Sequence, residues 1–339
     1  MNILQIANEY VDQFDASLSP NMGMSKPVAV LASNNQKYYL KREHITGVNG
    51  QPIFENAVFL QELFVSQIAN ELQIPVPNCA ILNLEDDFLK DNRDLAFRYH
   101  LTPGLYYGSE ILPQVDNNLV SNYKEAISQH QPQIRRSWNS YFRKVSNISI
   151  YPSIIALDLL TANFDRFSNE GNILISKRNN KKVVYTFDFG HCFFFPFWNK
   201  DKIKLMQSIP ETHQNYDQYV NFIINNYLKV SNRPLEPLGT VFTGMQNNIY
   251  FEHGNPFSDI MSRINNISPD KLVKFLKNVP EEWLDSDKQF QFDMYIQFIE
   301  KSKTIVIHLL DRLYELGAFS NSLGGTLKWK IKGTSYGIQ

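Results

Sequence analysis

The sequence predicts an α+β fold in two lobes: a small, β-rich lobe over residues 1–101 built around one helix, and a larger, mostly helical lobe over 102–339. Three observations predict it. Short β-like runs cluster before residue 101, at 28–31 (VAVL), 38–42 (YYLKR), 78–84 and 95–101. The stretch Thr102-Pro103-Gly104 then punctuates the chain, and a lobe boundary there is the simplest interpretation. Beyond residue 110 the apolar spacing turns helical. It is clearest at Phe292, Tyr295, Ile296, Ile299, Ile305, Val306, Leu309, Leu310, Leu313 and Leu316, before Gly317.

Composition narrows the function classes. The 339 residues are 43% hydrophobic and 13% aromatic, enough for a substantial core and too much for global disorder. With 33 basic and 34 acidic side chains the net charge is -1, so neither nucleic acid nor an anionic membrane is an expected partner. Neither a signal-like start nor an apolar run of membrane-spanning length is evident, so a cytoplasmic protein is expected. Cys79 and Cys192 match neither a disulfide framework nor a zinc site and read as reduced core thiols.

In chain order, residues 1–19 read as a short helix from Ile3, Leu4, Ile6, Ala7, Tyr10, Val11 and Phe14. Residues 21–26 form a loop whose backbone at Gly23 and Met24, with the Ser25 hydroxyl and Lys26, is a candidate phosphate cradle. A single glycine is a weak fingerprint for that role. Strands at 28–31 and 38–42 flank the turn 33–36, and Lys41 sits beside the apolar Leu40. A lysine there more often snorkels to the surface. The helix 55–72 follows, with Glu62 among its apolar positions, and Pro75 and Pro77 end it. The acidic EDDFLKDNRD reads as a turn between strands 78–84 and 95–101, and the linker after residue 101 offers backbone groups to an adenine edge.

The second lobe starts with a basic helical stretch, 122–145, carrying Arg135, Arg136, Arg143 and Lys144, which reads as a solvated face. A buried helix is expected over 148–162 and another helix over 209–231. The Pro-, Gly- and Asn-rich 234–254 reads as loop, and Ser268-Pro269 caps and starts a helix to residue 278. The tail from residue 323 is polar and expected to be loosely held.

The stretch 158–193 carries the chemistry. An apolar helical run ends in a polar loop with Asn163, Asp165, Arg166, Asn169 and Asn172; two β-like pieces follow, and the second ends in Asp188-Phe189-Gly190. Phosphoryl transfer from ATP needs one carboxylate to orient the attacking hydroxyl, and an amide oxygen with a second carboxylate to hold magnesium against the phosphates. Asp165 suits the first role, Asn172 (or Asn169) the second and Asp188 the third. A strand lysine, Lys41, held by a helix glutamate, Glu62, recurs in the same chemistry. Singly, each has a bland account: Asp165 and Asp188 as turn caps, Arg166 as an ion-pair partner, Glu62 as a solvated face. None of these accounts explains their joint occurrence in this order. His191, in an aromatic run, reads as packed and not catalytic.

With those residues in place the sequence resembles the HipA-like kinase family, related in fold to the HipA toxin kinases and the phosphoinositide 3/4-kinases. The matching pieces are MGMSKP, YYLKR, QEL with LQIPVP, TPGLYYGSE, LLTANFDRFSNEGNILI, FDFGHCF and VPEEW, spanning about residues 20–285. The resemblance implies a bilobal protein-kinase-like fold and a Ser/Thr-type phosphotransferase that uses ATP and magnesium on a protein substrate. It assigns Lys41 to the ATP phosphates, Glu62 to the ion pair, Asp165 to catalysis, and Asn172 and Asp188 to magnesium. The chain departs from the related loop in carrying Phe167 after Asp165-Arg166, and in the seven-position spacing of Asn172 from Asp165, which leaves Asn169 as a rival. Asn172 is preferred because the Ile173-Leu174-Ile175 strand follows it directly. The alternatives are a pseudokinase that binds nucleotide without turnover and a small-molecule or lipid kinase.

Overall fold

A strand, not a helix, opens the chain. The computed structural model describes residues 4–15, 17, 27–47, 49–116, 134–167, 172–228, 238–322 and 326–329. β1 (Ile6–Phe14) runs parallel to β6 (Cys79–Leu84) and antiparallel to β2 (Val28–Ala32), with a register shift between Val11 and Gln13. Its apolar residues recur every three or four positions, the helical signal, but a strand here closes a barrel between two otherwise open edges. Pairing overrides a short local period.

The barrel order is β1-β2-β3-β7-β6, with β3 at Lys37–Leu40 and β7 at Gly104–Glu110. The hairpin β2–β3 matches its sequence reading, turning at Asn35, whose φ of 59° suits asparagine. A small hairpin of β4 (His44–Thr46) and β5 (Pro52–Phe54) follows, then α1 (Val58–Glu71), buried along almost its whole length. The acidic stretch after β6 is helical, as α2 (Asp86–Asp91) and α3 (Arg93–Tyr99), where a turn and a strand were expected. Asp86 and Asp87 favour the positive end of α2, and Lys90 pairs with both. Residues 95–101 do not form a strand: Phe97 is 81% exposed, and α3 ends at His100 in the left-handed region.

β7 lies beyond the expected boundary at residue 101. It pairs with β3 and β6, so the chain leaves this sheet only after Glu110. The backbone at 104–110 is therefore committed to the sheet and does not form the expected free linker. The connection that follows is tied to the next sheet: Asp116 N donates to Ile175 O at 2.7 Å.

The C-terminal part is mainly helical, with α4 (Ile134–Arg143), α5 (Tyr151–Leu160), α6 (Lys200–Gln207), α7 (Tyr216–Asn226), α8 (Thr240–Gln246), α9 (Ser258–Asn265), α10 (Pro269–Leu276) and α11 (Lys288–Glu315). α8 falls where loop was expected, because Val241, Phe242 and Met245 pack its one apolar face inward. Side chains of the basic cluster at Arg135 and Arg136 lie outside the described residues. The hairpin β8 (Ile173–Arg178) and β9 (Lys181–Thr186) turns at Asn179-Asn180, both left-handed, as a tight two-residue hairpin requires. Trp329, in the tail, donates its indole N–H to Asp311 on α11, at 2.9 and 3.1 Å, and so is held.

Several contacts tie the β-rich part to the helical part. Thr186 N donates to Pro75 O at 2.9 Å, and Trp283 Nε1 donates to Leu105 O of β7 at 2.8 Å while its ring packs on Phe59 of α1. No helix among the described residues is long and apolar enough to cross a membrane.

Gly239, before α8, has a φ of 92°, and a Cβ there would lie 2.5 Å from the Phe167 carbonyl oxygen. Replacement by alanine therefore meets both backbone strain and a fixed neighbour. Gly239→Ala is expected to lower unfolding stability by at least about 1–3 kcal/mol, read from the denaturant midpoint; an unchanged midpoint would refute this account of the turn.

Candidate active site

Lys41 follows β3 directly, and its amide still donates to Tyr107 O of β7 at 2.9 Å. That pairing aims the side chain inward, so Lys41 is buried instead of snorkelling. Its ammonium lies 2.7 Å from Glu62 Oε1 on α1 and 2.5 Å from Asp188 Oδ1. Three residues from three separate segments thus converge on one cation. The Glu62 carboxylate also accepts from Gly190 N at 3.1 Å. Glycine is required there, since an added Cβ would lie 2.3 Å from Val58 Cγ2.

The charges in this cluster are unequally placed. Burial acts to depress Lys41, but Asp188 and Glu62 outweigh it and raise its pKa. Glu62 is enclosed, and burial pushes its carboxyl up against the opposing pull of Lys41. Asp188, with a side chain 26% exposed, also meets a burial penalty, yet Lys41 holds it below the usual carboxylate range. The more accessible carboxylate is therefore the more firmly ionised one. Asp188 has a φ of 62°, the left-handed region, so it turns out of the line of β9.

The loop after α5 is held by a buried ion pair. Asp158, in the apolar helix, accepts from Arg166 Nε through both oxygens, at 3.0 and 2.8 Å, and both side chains are 0% exposed. Asn163 Nδ2 also donates to Asp158 Oδ1, at 3.3 Å. From this anchor Arg166 Nη1 donates to the carbonyls of Asn172 and Phe187, the latter at 2.9 Å. One guanidinium thus pins the two strand ends that lead to Asn172 and Asp188, and it lies over the Phe189 ring at 5.2 Å. Ile173 pairs with Thr186, so Asn172 and Asp188 leave the same open end of the β8–β9 hairpin. Asp165, in the single turn Phe164–Phe167, accepts from Asn172 Nδ2 at 2.7 Å.

The structure therefore brings Lys41, Glu62 and Asp188 together in one cluster, and Asp165 and Asn172 in another, joined through Arg166. Asn169 and the loop residues Gly23, Met24, Ser25 and Lys26 lie outside the described residues. His191 is not enclosed by the aromatic run: its ring is partly exposed, 3.8 Å from Glu55 Oε1. Asp158 was not singled out by sequence reasoning, although a lone acid within Ile154–Leu160 is a signal for a buried partner. Among the described residues no three His, Cys, Asp or Glu side chains group to hold a metal on their own.

No protein-family model matches the chain, and no curated protein matches it in sequence. Among solved structures it is similar to a Helicobacter pylori proinflammatory kinase, CtkA, at 13% identity and a TM-score of 0.49, over 90% of this chain and 99% of that one.

Burial pushes Asp158 up to about 6, with Arg166 pulling the other way. A carboxyl with a folded pKa above its unfolded one adds stability as pH falls, and that contribution is lost as pH rises through about 6. Proton uptake nevertheless removes the charge that fixes Arg166. Any activity or ligand binding of this site is thus expected to fall below about pH 6 without a matching fall in melting temperature. Asp158→Asn should remove that limb; a limb unchanged in the variant would clear Asp158 of the role.

Proposed function

We propose that this chain is an ATP- and magnesium-dependent kinase of the HipA-like type that transfers the γ-phosphate to a hydroxyl, most simply a Ser or Thr of a protein. The observation that carries the reading is the meeting of Lys41, Glu62 and Asp188 on one buried ion-paired cluster, with Asp165 and Asn172 hydrogen-bonded to each other at the same hairpin end. Magnesium suits such a donor set, because it takes one or two protein oxygens, keeps waters and completes its shell with phosphates. Asp188 and Asn172 would hold it; Asn169, outside the described residues, is the other amide that the sequence offers. When bound, the ion neutralises charge on the phosphates. The loop 21–26, with Gly23, Met24, Ser25 and Lys26, is assigned to the phosphates by its residue types and its place in the sequence before the β2–β3 hairpin.

In this reading Glu62 restrains the Lys41 ammonium so that it is presented to the α- and β-phosphates when nucleotide enters. Asp165 orients the acceptor hydroxyl for in-line attack and accepts its proton, with Asn172 fixing the carboxylate. Arg166 holds both strand ends in register and touches no substrate. The acceptor class rests on the family resemblance, and a lipid or small-molecule hydroxyl would use the same residues. A second reading, a nucleotide-binding module without turnover, is favoured by the direct Lys41–Asp188 contact, which occupies an oxygen that the cation needs.

Incubation with Mg·ATP followed by mass spectrometry of the protein and of added acceptors tests transfer; thermal shift with Mg·ATP tests binding. Asp165→Ala and Asp188→Ala are each expected to reduce transfer by about 100-fold or more, and only Asp188→Ala should also weaken magnesium-dependent nucleotide binding. Full turnover in Asp165→Ala would overturn the assignment, and binding without transfer in the wild type would select the second reading.

A further inference from the structure

Gly190 is gripped at both of its backbone polar groups by consecutive residues of α1. Its N–H donates to Glu62, and its carbonyl accepts from Gln61 Nε2. The Gln61 amide nitrogen also reaches Phe195 O at 3.5 Å. The Gln61 amide oxygen accepts from Lys202 Nζ and, at 3.1 Å, from the Tyr295 hydroxyl of α11. Lys202, on α6, is 0% exposed and donates further to Phe195 O at 2.6 Å and Cys192 O at 3.3 Å.

This is an unusual use of a lysine. A fully buried ammonium ordinarily faces a carboxylate, yet the partners of Lys202 are neutral oxygens, with the rings of Phe193, Phe195 and Tyr295 at 5.7, 5.7 and 5.9 Å. Burial accordingly pulls its pKa well below the ordinary lysine value. An aliphatic side chain would fill the same space without desolvating a charge. What the ammonium supplies is hydrogen bonds to a segment without helix or strand of its own. That segment is bent through left-handed positions at Asp188, Phe193 and Phe194. Its buried carbonyls need donors, and here they come from Lys202 and Gln61.

We infer that Gln61 and Lys202 are positioning residues: they form a strut between α1 and the segment 190–195 that moves Glu62 and Asp188 as one unit about Lys41. The inference rests on the kinase reading for its consequence but on the contacts alone for the strut. A shift of α1 would carry Glu62 away from Lys41 and, through Gly190, change the aim of Asp188. The strut thereby couples the lysine contact to the cation ligand, and neither can be lost singly.

Gln61→Glu separates positioning from mere packing. It keeps the shape and gives Lys202 a carboxylate, so folding is retained, but it removes the donor to Gly190 O. Tyr295→Phe removes only the hydroxyl, and Lys202→Met removes the amino donor at similar length. Amide hydrogen exchange over 187–195 in the full chain is expected to quicken about tenfold in Gln61→Glu, as for one lost buried hydrogen bond, and less in Tyr295→Phe, with barrel amides unchanged. The magnesium concentration for half-maximal nucleotide binding should rise about 10–100-fold in Gln61→Glu and Lys202→Met, the usual cost of losing a partner behind a metal ligand. Unchanged exchange in both Gln61→Glu and Tyr295→Phe overturns the strut. Quickened exchange with wild-type magnesium dependence overturns the positioning role. Quickened exchange in a protein whose wild type shows no magnesium-dependent nucleotide binding overturns the kinase reading and upholds the strut.

Discussion

A single buried ammonium sets the terms for the rest of this molecule. Enclosing the Lys41 ammonium is costly unless opposite charge meets it, and the two carboxylates that do so come from α1 and from the end of β9. The barrel, the helix behind it and the hairpin of the helical part must therefore hold fixed relative positions. Barrel pairing through Tyr107 places the lysine, the buried face of α1 places Glu62, and the left-handed turn after β9 places Asp188.

A second enclosed charge pair does for the polar loop what the first does for the Lys41 cluster. Asp158 sits in a helix buried at every position, where an acid is tolerated only because Arg166 returns to meet it. That return folds the chain between them into a tight turn and leaves Arg166 with donors to spare, two of which close on the strand ends carrying Asn172 and Asp188. Removing either partner would leave a buried charge alone, which is why such a pair specifies geometry more than it adds net stability. Lys202 makes a third such node, with neutral partners and a similar effect on the segment after Asp188.

The errors of sequence reading share a cause. Residues 6–14 have helical spacing and form a strand because β2 and β6 leave edges to be closed. The expected strand at 95–101 instead gives residues 95–99 to α3, since the barrel has no place for them and β7 takes the position beside β6. Loop-like composition over 234–254 hid α8, whose apolar residues find a surface only in the folded chain. Each was a short segment whose partner lies far away in sequence.

The sequence by itself determined the local, strongly patterned features. These are the β2–β3 and β8–β9 hairpins, α1, α5 and α11, and the residues from Asp165 to Gly190, whose types and order already pointed to phosphate chemistry. Their signals are short-range: apolar period, turn-forming asparagines, prolines and caps. Only the tertiary structure decided the closing strand β1, the barrel place of β7, and the partners of the buried ionisable groups at Lys41, Asp158, Arg166 and Lys202. The reason is physical: a strand edge or an enclosed charge is satisfied by whatever the fold brings against it, and in each case that partner comes from another segment of the chain.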